Sequence, residues 1–183
     1  AATLAALLQD AGHEVWVLTR PDSLNAKKLQ ARGLRILTEI DLNSNNPLQW
    51  FRSYQQLCDF LQTQQIDLIH AHRSEGYPLL AFARRKLGIP LVRTRGTARP
   101  LRQSWLNQKL YGDWTDATIA VGEVVAQQLR NALDFPTGQP SVIYYPAEDS
   151  TGSGNITGPD YRMEFGIPND HTVLAFVGRI RPE

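Results

Sequence analysis

Apolar positions along this chain alternate between two rhythms, a helical one of three to four residues and short unbroken runs bounded by turn-forming residues. Leu4, Leu7, Leu8 and Ala11 fall at helical spacing, and Gly12 follows where a helix end favours a left-handed residue, so the chain opens inside a helix. Val15, Trp16, Val17 and Leu18 then form a continuous apolar run, the mark of a strand buried on both faces, and predict a strand over 14–19. The succession repeats as far as residue 145. Helices are predicted over 23–32, 47–64, 77–87, 104–114 and 124–133, and strands over 34–37, 67–72, 91–94, 117–121 and 141–145. Pro47 suits a first helical turn, where its missing N–H costs nothing, and Gly33 and Gly88 stand where helices stop. Strand and helix in regular alternation demand a mostly parallel sheet, connected right-handedly, with helices on both faces. The expected fold class is therefore α/β, a doubly wound, Rossmann-like domain.

After Tyr145 the pattern breaks. Residues 146–159 combine Gly152, Gly154 and Gly158 with Ser, Thr and Asn and few apolar side chains, which reads as a linker. Beyond it a helical turn over 160–165, a loop over 166–170 and a strand over 172–177 look like the opening of another domain. The expected organisation is a domain over 1–145 that lacks its first strand, a linker over 146–160 and the start of a second domain over 161–183, truncated at both ends.

Composition narrows the function classes. With 42% apolar and 20% charged residues the chain is globular, and 19 Lys and Arg against 18 Asp and Glu leave a net charge of +1 that gives no drive toward nucleic acid. The lone Cys58 lies in a predicted helix, so an intrachain disulfide is impossible, and a buried thiol in a reducing compartment is the expectation. No apolar run approaches the roughly 18 residues that span a bilayer. GxGxxG, P-loop and GxSxG patterns are absent, so dehydrogenase, NTPase and α/β-hydrolase readings lack their signatures.

In an open parallel sheet, ligands bind beyond the carboxyl ends of the strands, so the loops there are the candidates. The strand at 67–72 ends in His70, His72, Arg73 and Glu75, an imidazole pair on one strand face followed by a guanidinium and a carboxylate. They form either part of a site or a packed strand histidine with solvated loop charges. Two histidines at i, i+2 without a further Cys or His cluster make a poor zinc site, and no metal is expected. The next loop holds Arg95, Gly96 and Thr97 within a run of four arginines, Arg93, Arg95, Arg99 and Arg102. Guanidinium forks grip phosphate or carboxylate, and the alternative is a charged surface loop with salt bridges to its neighbours. Gly122 and Glu123 open a helix whose first amides can face an anion, although Glu123 can equally serve as a capping carboxylate. Gly178 and Arg179 follow the last predicted strand, a pair suited to a diphosphate.

Six segments taken in order resemble one family. Gly12-His13-Glu14-Val15, Asp67-Leu68-Ile69-His70-Ala71-His72, the run from Gly88 to Arg95, the run from Asp116 to Glu123, Val142-Ile143-Tyr144-Tyr145-Pro146, and Val173 to Arg179 are similar to successive strands and turns of the GT-B-fold glycosyltransferases of the family-four type. The resemblance implies two Rossmann-like domains facing across a cleft, an acceptor-side domain first and a nucleotide-sugar-binding domain second. It implies transfer of a sugar from a nucleoside diphosphate sugar to a hydroxyl acceptor, with retention at the anomeric carbon, and no cofactor or metal beyond the donor. Arg179, beside Gly178, matches the arginine that touches the donor diphosphate. His72, Arg73, Glu75, Arg95, Gly96, Thr97, Gly122 and Glu123 line the acceptor side. The acceptor is a glycan, a lipid-linked compound or a small molecule, and the intact protein is expected in the cytoplasm, at most peripherally associated with the inner face of a membrane. The 183 residues alone are expected to be inactive. Two departures stand out: the family's histidine two places after the threonine of its fifth strand is Gly96 here, and its Asn-Gly after the domain-closing strand is Tyr145-Pro146. Rival readings are a non-catalytic anion-binding Rossmann-like domain and a GT-B-type sugar-phosphate epimerase.

Overall fold

Local chemistry starts and stops the helices. Ser23 accepts a hydrogen bond from the Ala26 amide at 3.0 Å and so caps α2 (Leu24–Ala31), and Asn46 does the same for Leu48 at 2.9 Å ahead of Pro47 in α3 (Pro47–Thr63). Gly88, at φ 73°, ends α4 (Tyr77–Leu87) in the left-handed conformation and returns its amide to the Arg84 carbonyl at 2.8 Å. A computed structural model describes residues 2–21, 23–42, 44, 46–135, 138–145 and 161–174, in two units, 1–145 and 146–183.

The first unit begins with α1 (Ala2–Asp10), β1 (Trp16–Leu18), α2 and β2 (Arg35–Leu37), followed by α3, β3 (Ile69–Ala71), α4 and β4 (Leu91–Arg95). It continues with α5 (Trp105–Asn107), β5 (Ala117–Ala120), α6 (Glu123–Ala132) and β6 (Ser141–Val142). Every strand pair is parallel, as expected. Among the described residues, however, the hydrogen bonds divide the strands into a pair, β1-β2, and a four-stranded sheet in the order β3-β4-β5-β6. β1 and β3 are thus end strands, a division that the element order does not reveal.

Side chains alternate across the larger sheet. The register places Ile69, Ala71, Leu91, Arg93, Arg95, Thr118 and Ala120 on one face, and all seven are buried. Tyr77, Leu79, Ala81 and Ala83 of α4 and Val125, Ala126 and Leu129 of α6 share the core with the apolar members of this set. On the other face are His70, Val92, Thr94 and Ile119, of which only Thr94 is fully buried. Cys58 is 1% exposed in the core, the structural role expected of it.

Two elements differ from expectation. The helix predicted over 104–114 is α5 followed by a π-helical stretch, Gln108–Asp113. The Leu110 carbonyl accepts from the hydroxyls of Tyr77 (2.9 Å) and Thr115 (2.6 Å), and the Gln108 amide exchanges two bonds with the Asp134 backbone. These partners from outside the helix stabilise the wider spiral, which a 3.6-residue rhythm does not signal. The strand predicted over 141–145 stops at Val142. Its partner β5 ends at Ala120, and the chain beyond turns into α6, so after the Ile143 amide reaches the Ala120 carbonyl at 2.9 Å no strand remains to pair with.

In the second unit, α7 (Tyr161–Glu164) is followed by a turn in which the Arg162 guanidinium donates to the carbonyls of Pro168 (2.9 Å) and His171 (3.2 Å). Of the strand expected over 172–177, residues 172–174 are not in a strand and the rest lies outside the described residues. Among the described residues no helix is long and apolar enough to cross a membrane.

Candidate functional site at the carboxyl edge of the sheet

The loops that follow β3, β4, β5 and β6 collect at one edge of the four-stranded sheet because all four strands run the same way. The structure distributes the residues expected there over two faces and a rim. His70 and His72 lie on the less covered face, their rings stacked at 4.1 Å between centroids and 29° between planes. His70 Nε2 and Thr94 Oγ1 are hydrogen-bonded at 2.8 Å, whereas His72 Nδ1 is buried with no partner among the described residues. Stacked rings do not converge on a metal, and no group of three or more His, Cys, Asp or Glu among the described residues is placed to hold one.

Burial first, then the neighbouring His70, pulls the His72 pKa down to about 4, and burial likewise lowers His70. Both rings are neutral at neutral pH. Unfolded, His72 takes up its proton near pH 6.5, so between about 6.5 and 4 the unfolded state binds a proton that the folded state refuses. The stabilisation is fully present above that window and is lost as pH falls through it, by of order 2 kcal/mol. Urea midpoints at pH 7 and 4.5 are expected to show this slope in the wild type, and a much shallower one in His72→Gln.

Arg73 and Glu75, placed together in the reading of the sequence, bind each other. The guanidinium Nε and Nη2 meet the two carboxylate oxygens at 3.0 and 2.8 Å, and this pairing holds the Glu75 carboxyl down at about 2. With the side chains 73% and 40% exposed the pair is well screened and contributes little stability. Glu123 is similarly engaged, at 2.6 Å from Arg130 in the next turns of α6.

The arginine-rich loop is not a row of free guanidinium groups. Arg93 and Arg95 are 2% and 5% exposed on the helix-covered face, and neither forms an ion pair among the described residues. Arg93 donates to the Arg73 carbonyl and the Ser74 hydroxyl and lies 4.7 Å over the Tyr77 ring. Arg95 donates to the Arg99 carbonyl at 2.5 Å. Carbonyl dipoles and an aromatic face thus replace the missing carboxylates, and both side chains brace the loops that carry the rim. Thr97 Oγ1 accepts from the Arg99 amide at 3.3 Å within the same loop.

The rim itself consists of Gly96, Gly122 and two residues named in the sequence only within the domain-closing segment and not as site candidates, Tyr145 and Tyr144. The tyrosines are 58% and 69% exposed where the chain leaves β6. Gly122 precedes α6 and provides no side-chain cap, so the first amides of that helix have no partner from the N-cap side chain. The signal available in the sequence was a pair of aromatic residues directly after the last strand of the sheet. Gly178 and Arg179 lie outside the described residues.

The Glycosyltransferase Family 4 model matches residues 1–149, the whole of the unit that carries this rim. The chain belongs to glycosyltransferase family 4. The D-inositol 3-phosphate glycosyltransferase of Mycolicibacterium smegmatis is 28% identical over 133 residues, covering 63% of this chain and 30% of that protein. Among solved structures, a glycosyltransferase from Rickettsia africae superposes with a TM-score of 0.74 at 15% identity, over 92% of this chain and 46% of that one. HepE of Anabaena, solved in complex with UDP-glucose, gives 0.65 at 18% identity, over 92% and 45%. These likenesses show the Rossmann-like GT-B architecture. This family-4 chain spans less than half the length of each of these proteins.

Proposed function

We propose that the protein containing this chain transfers a sugar from a nucleoside diphosphate sugar to a hydroxyl acceptor, with retention at the anomeric carbon, and that residues 1–145 supply the acceptor side. The observation that carries the reading is family-4 membership over the unit whose strand ends gather the loops at 72–76, 95–99, 121–123 and 143–145 into one rim. The UDP-glucose bound by the HepE neighbour supports a nucleotide-sugar donor, and the polyol phosphate in the relative's name supports a small hydroxylated acceptor alongside a glycan or lipid-linked one. In this reading residues 146–160 link to a donor-binding domain that begins at 161. Gly178 and Arg179 contact the donor diphosphate, where positive charge and amides stabilise the leaving group. His72, Arg73, Glu75, Arg95, Gly96, Thr97, Gly122 and Glu123 line or brace the acceptor side and position the nucleophilic hydroxyl. No cofactor or metal beyond the donor is required, and the protein works in the cytoplasm or at the inner face of a membrane.

The test is turnover by the intact protein against a panel of nucleotide sugars with candidate acceptors, with Arg179→Ala as matched control. Transfer from one donor that falls at least tenfold in the variant is the expected result. Conversion of a nucleotide sugar to its epimer without transfer would replace the reading with the epimerase. Neither turnover nor binding across the panel would leave the anion-binding domain.

A further inference from the structure

We infer that the Tyr145 hydroxyl, seated over Gly96, is a substrate-contacting group of this rim that hydrogen-bonds a sugar or polyol hydroxyl. The inference rests on the transferase reading above and assigns that site a residue whose role the family likeness does not provide.

A side chain at residue 96 would begin where the phenol now sits. A Cβ built on Gly96 would lie 2.9 Å from Tyr145 Oη and 3.7 Å from two of its ring carbons, and one built on Gly122 would meet the Tyr144 ring at 3.8 Å. Neither glycine is there for its backbone. Gly96 has no left-handed φ, and Gly122, at φ 179°, is in extended backbone that any residue adopts. At Gly96, therefore, the glycine supplies space, and the tyrosine hydroxyl fills it. The two departures from the family pattern, a glycine at 96 and a tyrosine at 145, are thus one exchange in space.

The hydroxyl is equipped for a ligand. It has no hydrogen-bond partner among the described residues, its side chain is largely exposed, and it stands at the carboxyl edge of a parallel sheet. Gly122, which starts α6 without a side-chain cap, lies beside the neighbouring Tyr144 ring. Beneath it Arg95, 5% exposed, has a buried Nε without an acceptor while another of its nitrogens holds the Arg99 carbonyl, so the loop under Gly96 is fixed from the core side. A phenol hydroxyl that can donate and accept, with an aromatic face beside it, suits a hydroxylated, uncharged part of a substrate better than a phosphate.

Two substitutions perturb the same atom in different ways. Tyr145→Phe deletes the hydroxyl and leaves the ring, whereas Gly96→Ala keeps the hydroxyl and drives it from its position. In the intact protein each is expected to lower kcat/KM for transfer about tenfold, the worth of one hydrogen bond, and the double variant also about tenfold because both remove one contact. Donor hydrolysis without acceptor separates the two sources of the hydroxyl. A parallel loss there assigns the contact to the transferred sugar, and a loss confined to transfer, with a raised acceptor KM, assigns it to the acceptor. An active wild type with Tyr145→Phe within twofold of it, or a double variant near a hundredfold down, overturns the inference and leaves the transferase reading standing. A wild type inactive on every nucleotide sugar overturns that reading first and this inference with it.

Discussion

Replacing Gly76 by alanine is expected to cost about 3 kcal/mol of stability, through two effects at one residue. Gly76 caps α4 at φ 72°, in the left-handed region where an L side chain costs about 1 kcal/mol. A Cβ there would also lie 2.6 Å from Leu42 Cβ and 2.9 Å from its Cγ and Cδ1. The nearest atom is the root of a side chain rather than its flexible end, so either the segment after β2 or the start of α4 must shift. Urea unfolding of wild type and Gly76→Ala measures the total. In a Leu42→Gly background the steric share is expected to vanish, leaving a Gly76→Ala increment of about 1 kcal/mol. An unchanged increment would place the whole cost in the backbone. Gly76 closes the loop that carries His72, Arg73 and Glu75, which the proposed function places on the acceptor side, and leads directly into α4, whose Tyr77 ring lies under Arg93.

Truncating Asp116 is the second large effect. Its carboxylate accepts from Arg84 Nε at 3.0 Å, Arg84 Nη2 at 2.6 Å and the Leu91 amide at 2.9 Å, and its own amide donates to the Leu91 carbonyl at 2.9 Å. One residue thus ties the last turn of α4 to the starts of β4 and β5. Asp116→Ala is expected to lose about 3 kcal/mol, toward the lower end for breaking a buried pair because the two side chains remain about a third exposed. Asp116→Asn keeps an acceptor for Leu91 and is expected to lose about half of that. The Arg84 guanidinium, and after it the Leu91 amide, holds the carboxyl below its ordinary range. A depressed carboxylate stabilises above its unfolded pKa and ceases to do so as pH falls through the folded one, so this contribution disappears in a more acidic window than that of His72. Urea unfolding of the Asp116 variants across pH 7 to 3 checks both statements, and an unfolding free energy for Asp116→Ala within about 0.5 kcal/mol of wild type would show that the fork contributes nothing.

The sequence by itself determined the order of strands and helices, the parallel α/β class, the buried thiol and the edge at which the candidate residues gather. These follow from local rhythm, from turn residues such as Gly33, Pro47 and Gly88, and from the handedness of crossovers, all of which act over a few residues or apply to every parallel sheet. Family membership was legible for a related reason, since the matching segments are those same strand ends. The tertiary structure alone decided what each charged or aromatic side chain meets. Nothing in the spacing of Arg73 and Glu75 distinguishes two ligands of a substrate from an ion pair closed on itself, and nothing in a run of arginines shows that Arg93 and Arg95 point into the core toward carbonyls and the Tyr77 ring. The π-helical turn depends on the distant Tyr77 hydroxyl and Asp134 backbone, and the division of the sheet depends on which strand edges find partners. Tyr145 over Gly96 is the clearest instance, because the two residues are 49 positions apart and only the packing of β6 beside β5, and β5 beside β4, brings the hydroxyl into the space that a glycine leaves open.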